Sequence, residues 1–443
     1  MRLMIRLLGM AVVLLLAAAC STSGDHPRHS PASSKSPPSS AAGGQPATAG
    51  AAAQPQEFRG KDPLDFYRPP KPMPAVPHGT LLRFERTRLT VSGGTVWKIM
   101  YASKSLSGKR IAVTGIVLVP AGKPPAGGWK LVSAAHGTTG VADDCAPSRG
   151  DVALPAGQRT PYPISLLNKD YGAFAEAGYL RSGYVVSLTD YEGLGTPGIH
   201  PYLVGQSEAR SVLDAARAAR QLPAVPVQRR FAIWGYSQGG HAAAWANDVA
   251  ATWTPELHLV GTVAGGPVSE MTLVANTLAT TKMAPSLFFM IIAGYAAAYP
   301  QLHPSDVLTP AGLAMLKRFE THCSAAHSAA LTKTPMSAFV KPGFTSDTAW
   351  QRALSESNPG QPGRPKVLSP LLILHSDVDE TVPAFLSDTM FKRMCRLGWH
   401  AERRVYHNGK THVGEVPDAL VDGLHWINDR MAGKQAPTNC PTS

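Results

Sequence analysis

The sequence predicts an α/β domain: a mainly parallel sheet covered by helices on both faces and interrupted by a helical insertion. Three observations carry this. Apolar, β-branched runs alternate with helical patterns along most of the chain, the pattern of a parallel sheet covered on both faces. One such run, Phe231-Ala-Ile-Trp, ends in Gly235-Tyr-Ser237-Gln-Gly239 and is followed by an Ala-rich helical stretch. Residues 267 to about 366 break the alternation with mostly helical character, closed by Asn358-Pro-Gly-Gln-Pro-Gly-Arg-Pro365.

The predicted strands are Trp97–Ala102, Arg110–Val119, Lys130–Ala135, Tyr184–Thr189, Phe231–Trp234, Leu257–Ala264, Pro370–Leu374 and Ala401–Tyr406. The first of them, separated by short polar turns, fit an antiparallel lead-in. Predicted helices cover Gly205–Gln221, Gly239–Trp253, Ala384–Arg396 and Val416–Met431. Within the insertion, Leu287–Tyr299 is apolar all round and, at 13 residues, too short to span a bilayer. It reads as a buried cap helix, compatible with a tunnel wall or a lid.

The N-terminal end has a different character. Arg2 and Arg6, the apolar run Leu7–Leu16 and Ala17-Ala18-Ala19 form an export signal over residues 1–19. Cys20 follows directly, in the arrangement of a bacterial lipobox, although Ala17 stands where leucine is usual. Acylation of Cys20 would tether the chain to a membrane surface; the alternative is plain secretion. Residues 20–56 form an anchored linker. From Ser21 onward it is mostly Ser, Ala, Pro, Gly and Gln with almost no large apolar side chain, which cannot bury a core and would span about 30–35 Å as a flexible chain. Residues 57–443 form the folded domain, with the cap at about 267–366.

Cleavage of the signal removes Arg2 and Arg6 and lowers the formal net charge from +12 to +10. No Lys/Arg block interleaves with aromatics, which argues against nucleic acid as partner. The remaining cysteines, Cys145, Cys323, Cys395 and Cys440, form an even set in an exported chain. They suggest two disulfides with three possible pairings. None has metal-ligand spacing, and neither a metal nor a cofactor is expected.

Gly-x-Ser-x-Gly between a strand and a helix holds a serine hydroxyl exposed beside the helix N-terminus, so Ser237 is the candidate nucleophile. A base and an orienting acid should follow in that order of chain, acid before histidine. Asp379, in Asp377-Val-Asp379-Glu380-Thr-Val-Pro383 after an apolar strand, is the preferred acid, with Asp377 and Glu380 as competitors. His412, in the loop between the strand at 401–406 and the last helix, is the preferred base over His407 and His425. The backbone N–H of Gln238 is the first oxyanion donor, and Gly137, after His136 at the end of an early strand, the second. His136, Tyr236 and Asp190 are candidates to line a substrate pocket.

These segments together resemble the secretory lipase family, the fungal and yeast lipases of the Candida lipase A type. The residues that carry the resemblance include Asp62-Pro-Leu-Asp-Phe-Tyr67-Arg-Pro-Pro70, Gly79-Thr-Leu-Leu-Arg83 and Cys145-Ala-Pro-Ser148. Further along they include Gly183–Gly193, Gly235–Gly240, Pro255-Glu-Leu, Ala264-Gly-Gly266 and Asp379–Pro383, so that about residues 62–432 are covered. The resemblance implies an α/β-hydrolase fold with a helical cap, acting on acyl esters of glycerol or simpler alcohols. It carries the triad onto Ser237, Asp379 and His412, and the disulfides onto Cys145–Cys323 and Cys395–Cys440. One departure is His136-Gly137, where the fungal type has an acidic pair; a backbone donor alone is then implied.

The expectation is therefore a secreted serine carboxylester hydrolase, lipase or esterase, acting on a lipid or small ester substrate without cofactor. Two other readings use the same residues differently. An acyltransferase would replace water by a second alcohol, and a catalytically silent lipid-binding lipoprotein would keep the fold alone.

Overall fold

A computed structural model describes residues 54–151, 172–323, 331, 333–363, 367 and 369–441. Among the described residues ten strands form one sheet: β1 (Gln56–Glu57), β2 (Leu81–Val91), β3 (Gly94–Lys104), β4 (Arg110–Pro120), β5 (Trp129–Ala135), β6 (Tyr184–Thr189), β7 (Val227–Tyr236), β8 (His258–Gly265), β9 (Leu371–Ser376) and β10 (Ala401–Tyr406). Their order is β1-β2-β3-β4-β6-β5-β7-β8-β9-β10. The β2–β3, β3–β4 and β4–β6 pairs are antiparallel, and every pair from β6 to β10 is parallel. This is the expected lead-in and parallel core of an α/β-hydrolase fold.

Strands β1 and β2 fall outside the expected list. In β2, Arg83, Glu85, Arg86 and Arg88 alternate with or adjoin the apolar residues, so no apolar run marks it. Gln56, expected in the linker, already pairs with Arg83 of β2. Cys20 and the signal lie outside the described residues.

Helices are numbered here in chain order among the described residues. A short α1 (Gly172–Glu176) precedes β6. On one face of the sheet, α2 (Gly205–Ala219) and α3 (Gln238–Trp253) share an apolar core with Leu131, Phe231 and Ile233. The buried face of α3 is largely alanine, which lets its axis lie close to β7 and β8. The last helix, α10 (Val416–Met431), covers the opposite face and packs Leu420 and Trp426 with Trp234 and Val263.

Between β8 and β9 the chain leaves the sheet to build the cap: α4 (Met271–Thr280), α5 (Pro285–Ala298), α6 (Pro304–Val307), α7 (Pro310–Phe319) and α8 (Thr348–Glu356). The cap has its own apolar core, with Phe288, Phe289, Phe319, Phe339 and Trp350 buried around α5. α5 is the apolar-all-round segment and is buried for that reason. After β9, α9 (Ala384–Arg396) leads to β10.

Cys145 is bonded to Cys323 and Cys395 to Cys440, each with Cα atoms 5.4 Å apart. The first bond ties the segment after β5 to the cap beyond α7. The two bridges close intervals of 178 and 45 residues. By loop entropy the first contributes about 5 kcal/mol and the second about 4. Paired alanine substitution at Cys145 and Cys323 should therefore lower the melting temperature more than the pair at Cys395 and Cys440, as read by calorimetry.

Candidate active site

Strand β7 lies between β5 and β8, with Gly235 opposite Ala135 on one side and Ala264 on the other. The C-terminal ends of the three strands therefore converge. There the chain turns sharply from β7 into α3. A Cβ at Gly235 would lie 1.9 Å from the Gly239 carbonyl oxygen, and one at Gly239 would lie 2.0 Å from that of Ala135. Only glycine permits this approach.

The turn leaves Ser237 at φ 61°, ψ −121°, a left-handed conformation that costs a non-glycine residue about 1–3 kcal/mol. The fold holds it there through Ser237 N–H donating to the Gly265 carbonyl at 2.9 Å and its own carbonyl accepting from His241 N–H at 3.1 Å. The side chain stands at the N-terminus of α3, where unpaired N–H groups and the helix dipole favour negative charge. Gln238 is the first residue of that helix.

Gly137 lies over the serine: a Cβ built on it would be 3.9 Å from the Ser237 Cβ. The neighbouring His136 ring lines the same cavity and donates Nδ1–H to the Gly137 carbonyl at 2.6 Å. Burial pushes its pKa down to about 4, so the ring is neutral. Tyr191 donates its hydroxyl to the His136 carbonyl at 3.0 Å and packs on the ring.

The three acids after β9 have different partners. Asp379 Oδ2 accepts His412 Nδ1–H at 2.6 Å, and its Oδ1 accepts the N–H groups of Thr381 and Val382 at 2.9 and 2.7 Å. His375 Nε2, donating to the Val382 carbonyl at 2.7 Å, also lies 3.2 Å from Asp379 Oδ2. Burial alone would raise the Asp379 pKa. The hydrogen bonds from His375 and His412, with the His412 charge and the Val382 N–H, outweigh it and hold the carboxyl well below the usual range. Asp377 instead meets the exposed His407 at 2.6 Å. Glu380 accepts the backbone N–H of His412 at 2.9 Å.

His412 is thus fastened at three points, because the Tyr236 hydroxyl also donates to its carbonyl at 2.9 Å. A Cβ on Gly266 would come within 3.2 Å of His412 Cε1, so the ring packs against the end of β8. His425 sits within α10, away from this loop.

Ser237 and His412 open into one cavity of about 440 Å³. Its wall is predominantly apolar and comes from both layers: Trp234, Tyr236 and Leu420 from the core, Val274, Leu278, Leu287 and Ile291 from the cap. Four large apolar side chains of the wall, Leu273, Met283, Phe385 and Val413, are also exposed at its rim.

Asp190, expected to line the pocket, does not. Its carboxylate turns into the core, where it accepts Thr114 Oγ1 at 2.7 Å, Ser148 N–H at 2.9 Å and the Ser148 hydroxyl. Burial raises its pKa to about 6 against those hydrogen bonds. A loop position at the catalytic edge says nothing about which way the side chain points. Tyr236 does line the cavity, and its hydroxyl is spent on His412. Sequence reading missed the roles of Glu380 and His375. The i, i+4 spacing of His375 and Asp379 across the strand end was the available signal.

A mostly parallel sheet with a strained strand–serine–helix turn, and a carboxylate-bound histidine opening into the same cavity, define an α/β-hydrolase fold. The family pattern described as secretory lipase matches residues 168–439. The chain belongs to the secretory lipase family. Relatives include Lipase 10 of Candida albicans, 25% identical over 402 residues spanning 85% of this chain and 82% of that protein. The secreted triacylglycerol lipase LIP4 of Malassezia globosa is 25% identical over 396 residues, covering 85% and 82%.

Among solved structures, Candida antarctica lipase A in its closed state superposes with a TM-score of 0.70 at 21% identity, covering 86% of this chain and 88% of that one. The rice cell wall degrading esterase LipA from Xanthomonas oryzae gives 0.61 at 21% identity, covering 81% and 97%. Both likenesses bear on the fold.

Proposed function

We propose that the chain is an exported serine carboxylester hydrolase acting on lipid esters. Ser237 Oγ attacks the ester carbonyl while His412 Nε2 takes its proton, and Asp379 holds the ring by Nδ1 and stabilises its positive form. The N–H groups of Gln238 and Gly137 receive the oxyanion at the start of α3. His412 then protonates the leaving alcohol, and a water activated by the same nitrogen releases the acyl group from Ser237. The observation that carries this reading is the bonding of His412 Nδ1 to a buried carboxylate in the cavity that Ser237 opens into. The cap wall of that cavity is the place for the acyl chain. Upstream, acylated Cys20 and the linker that precedes β1 would tether the enzyme to a membrane.

The test is hydrolysis of p-nitrophenyl esters from acetyl to palmitoyl by the mature domain beside Ser237→Ala. Turnover that vanishes in the variant supports the reading, and the chain-length optimum separates esterase from lipase. Folded protein that turns over no ester overturns it in favour of a lipid binder. Ester formation on added glycerol in place of free acid would make it a transferase.

The exposed apolar rim suggests docking on a lipid surface before the substrate enters. Phe385 is 55% and Val413 75% exposed. Phe385→Asp with Val413→Asp should lower the rate on emulsified tributyrin about tenfold more than that on soluble p-nitrophenyl acetate, given ~1.5–3 kcal/mol per fully buried large apolar side chain.

A further inference from the structure

Beneath the serine turn lies a polar cluster for which ester cleavage has no evident use. It begins on α2, where Ser207, Glu208, Ser211 and Asp214 form a buried polar stripe on a helix packed into the core. Glu208 is fully buried under the first turn of α3. Its Oε1 accepts Gln238 Nε2–H at 2.8 Å and Leu203 N–H at 3.0 Å.

Each neighbour's protonation follows from what lies at its far side. The Gln238 amide also reaches His200 Nε2 at 2.7 Å, and His200 donates Nδ1–H to the Glu192 carbonyl at 2.8 Å. His200 Nε2 is therefore an acceptor. His241 donates Nδ1–H to the Val268 carbonyl at 3.0 Å, which makes its Nε2 an acceptor too. That nitrogen lies 3.9 Å from Glu208 Oε2, and neither atom makes a hydrogen bond. A carboxylate would set two acceptors face to face there. A carboxylic acid sets a donor against an acceptor, and a small rotation closes the bond.

We propose that Glu208 is a positioning residue acting as a neutral carboxylic acid: its hydroxyl faces His241, and its carbonyl oxygen holds the Gln238 side chain. The chain of bonds then runs from the Glu192 carbonyl through His200, Gln238, Glu208 and His241 to Val268. It fixes the helical turn whose first N–H meets the oxyanion. This rests on Ser237 being the nucleophile.

The groups facing Glu208 supply no compensating charge. They are His200 from the segment before α2, His241 from α3, Tyr191 and Tyr202 from the loop after β6, and Tyr295 from α5. Burial pushes His200 down to about 3 and His241 to about 4, and raises all three tyrosines. Burial likewise raises Glu208 to about 8, against the hydrogen bonds from Gln238 and Leu203. Loss of its proton puts an unpaired anion one hydrogen bond from Gln238, where it opposes the developing oxyanion and repels the His241 lone pair.

The variant that tests this is Glu208→Gln, which has nearly the shape of the acid and a donor that does not titrate. Ester hydrolysis is followed from pH 6 to 10. A group titrating near 8 is about one-tenth protonated at pH 9, so wild-type kcat should fall about tenfold from its plateau there with KM little changed. E208Q should lose less than about twofold over the same range.

Stability gives a second readout. The folded state keeps the Glu208 proton between the ordinary carboxyl pKa and about 8, while the unfolded chain loses it. Wild-type stability therefore declines through that window, and the melting-temperature gap in favour of E208Q widens from pH 5 to pH 9. An alkaline limb that E208Q leaves in place overturns the proposal, as does a gap that stays flat. A widening gap in a protein that hydrolyses no ester keeps the neutral acid but overturns its positioning purpose, and the nucleophile reading fails with it. If E208Q does not fold, the wild-type infrared spectrum decides. A protonated-carboxyl band that disappears through pH 8 supports the proposal, and its absence at pH 6 overturns it.

Discussion

Replacing Ser237, the proposed nucleophile, by alanine should lower kcat for p-nitrophenyl butyrate by about 10⁵–10⁶-fold, because removing the nucleophile of such a unit costs about as much as removing all of it. KM should move little. The hydroxyl is lost, but the cavity, the start of α3 and the Gln238 N–H remain, so binding and oxyanion contacts persist. Alanine keeps the Cβ and with it the strain of the left-handed turn, so melting temperature should stay near wild type. Residual turnover, on the order of 10³–10⁴ above the reaction in water, comes from those persisting contacts. Steady-state kinetics with a folded, monodisperse variant checks all three parts, and turnover within tenfold of wild type would place the nucleophile elsewhere.

Asp379→Asn should cost about 10⁴-fold in kcat, and the hydrogen bonds explain why so conservative a change is so severe. Oδ1 accepts two backbone N–H groups, from Thr381 and Val382, so the asparagine oxygen must take that place. The amide nitrogen then faces His412 Nδ1 and His375 Nε2, where the carboxylate had accepted. His412 can meet a donor only as an acceptor, which moves its proton to Nε2, the nitrogen proposed to receive the serine proton. The ring is held in place in the wrong tautomer. Stability follows the same carboxylate. Its folded pKa is depressed, so its contribution is complete above the ordinary carboxyl range and is lost progressively as the pH falls from there through the lower folded value. The variant lacks that contribution at every pH. Nitrogen-15 spectra of the two histidines together with kcat would test the argument; an unchanged Nδ1–H tautomer alongside low activity would contradict it.

The parallel strands were legible in the sequence because burial on both faces leaves uninterrupted apolar runs, as in Phe231–Trp234 and Leu371–Leu374. β2 was not, since a half-exposed strand near the edge can carry Arg86 and Arg88 outward and spend Arg83 and Glu85 on polar partners. The serine turn was readable because its glycines are a steric necessity. The acid was narrower ground. Asp377 and Asp379 sit two residues apart in one loop, and spacing alone cannot say which meets His407 and which His412. Asp190 misled because the end of a core strand marks where a residue stands, not where its side chain goes. Glu208 left a trace, a run of polar residues on a helix otherwise fit for burial, but its partners come from segments far apart in sequence.

One feature of the sheet bears on how such proteins diversify. β8 and β9 are adjacent parallel strands, with Gly265 opposite Leu374, yet all of α4 to α8 is spliced between them. The insert leaves the C-terminal end of β8 and returns at the start of β9, opposite Thr262, while the pairing of the two strands is made wholly by residues outside it. A single continuous stretch therefore writes the cap side of the pocket, while Ser237, Asp379 and His412 are written outside it. Recombination or drift in that stretch can change which molecules fit without touching the residues proposed to cut them.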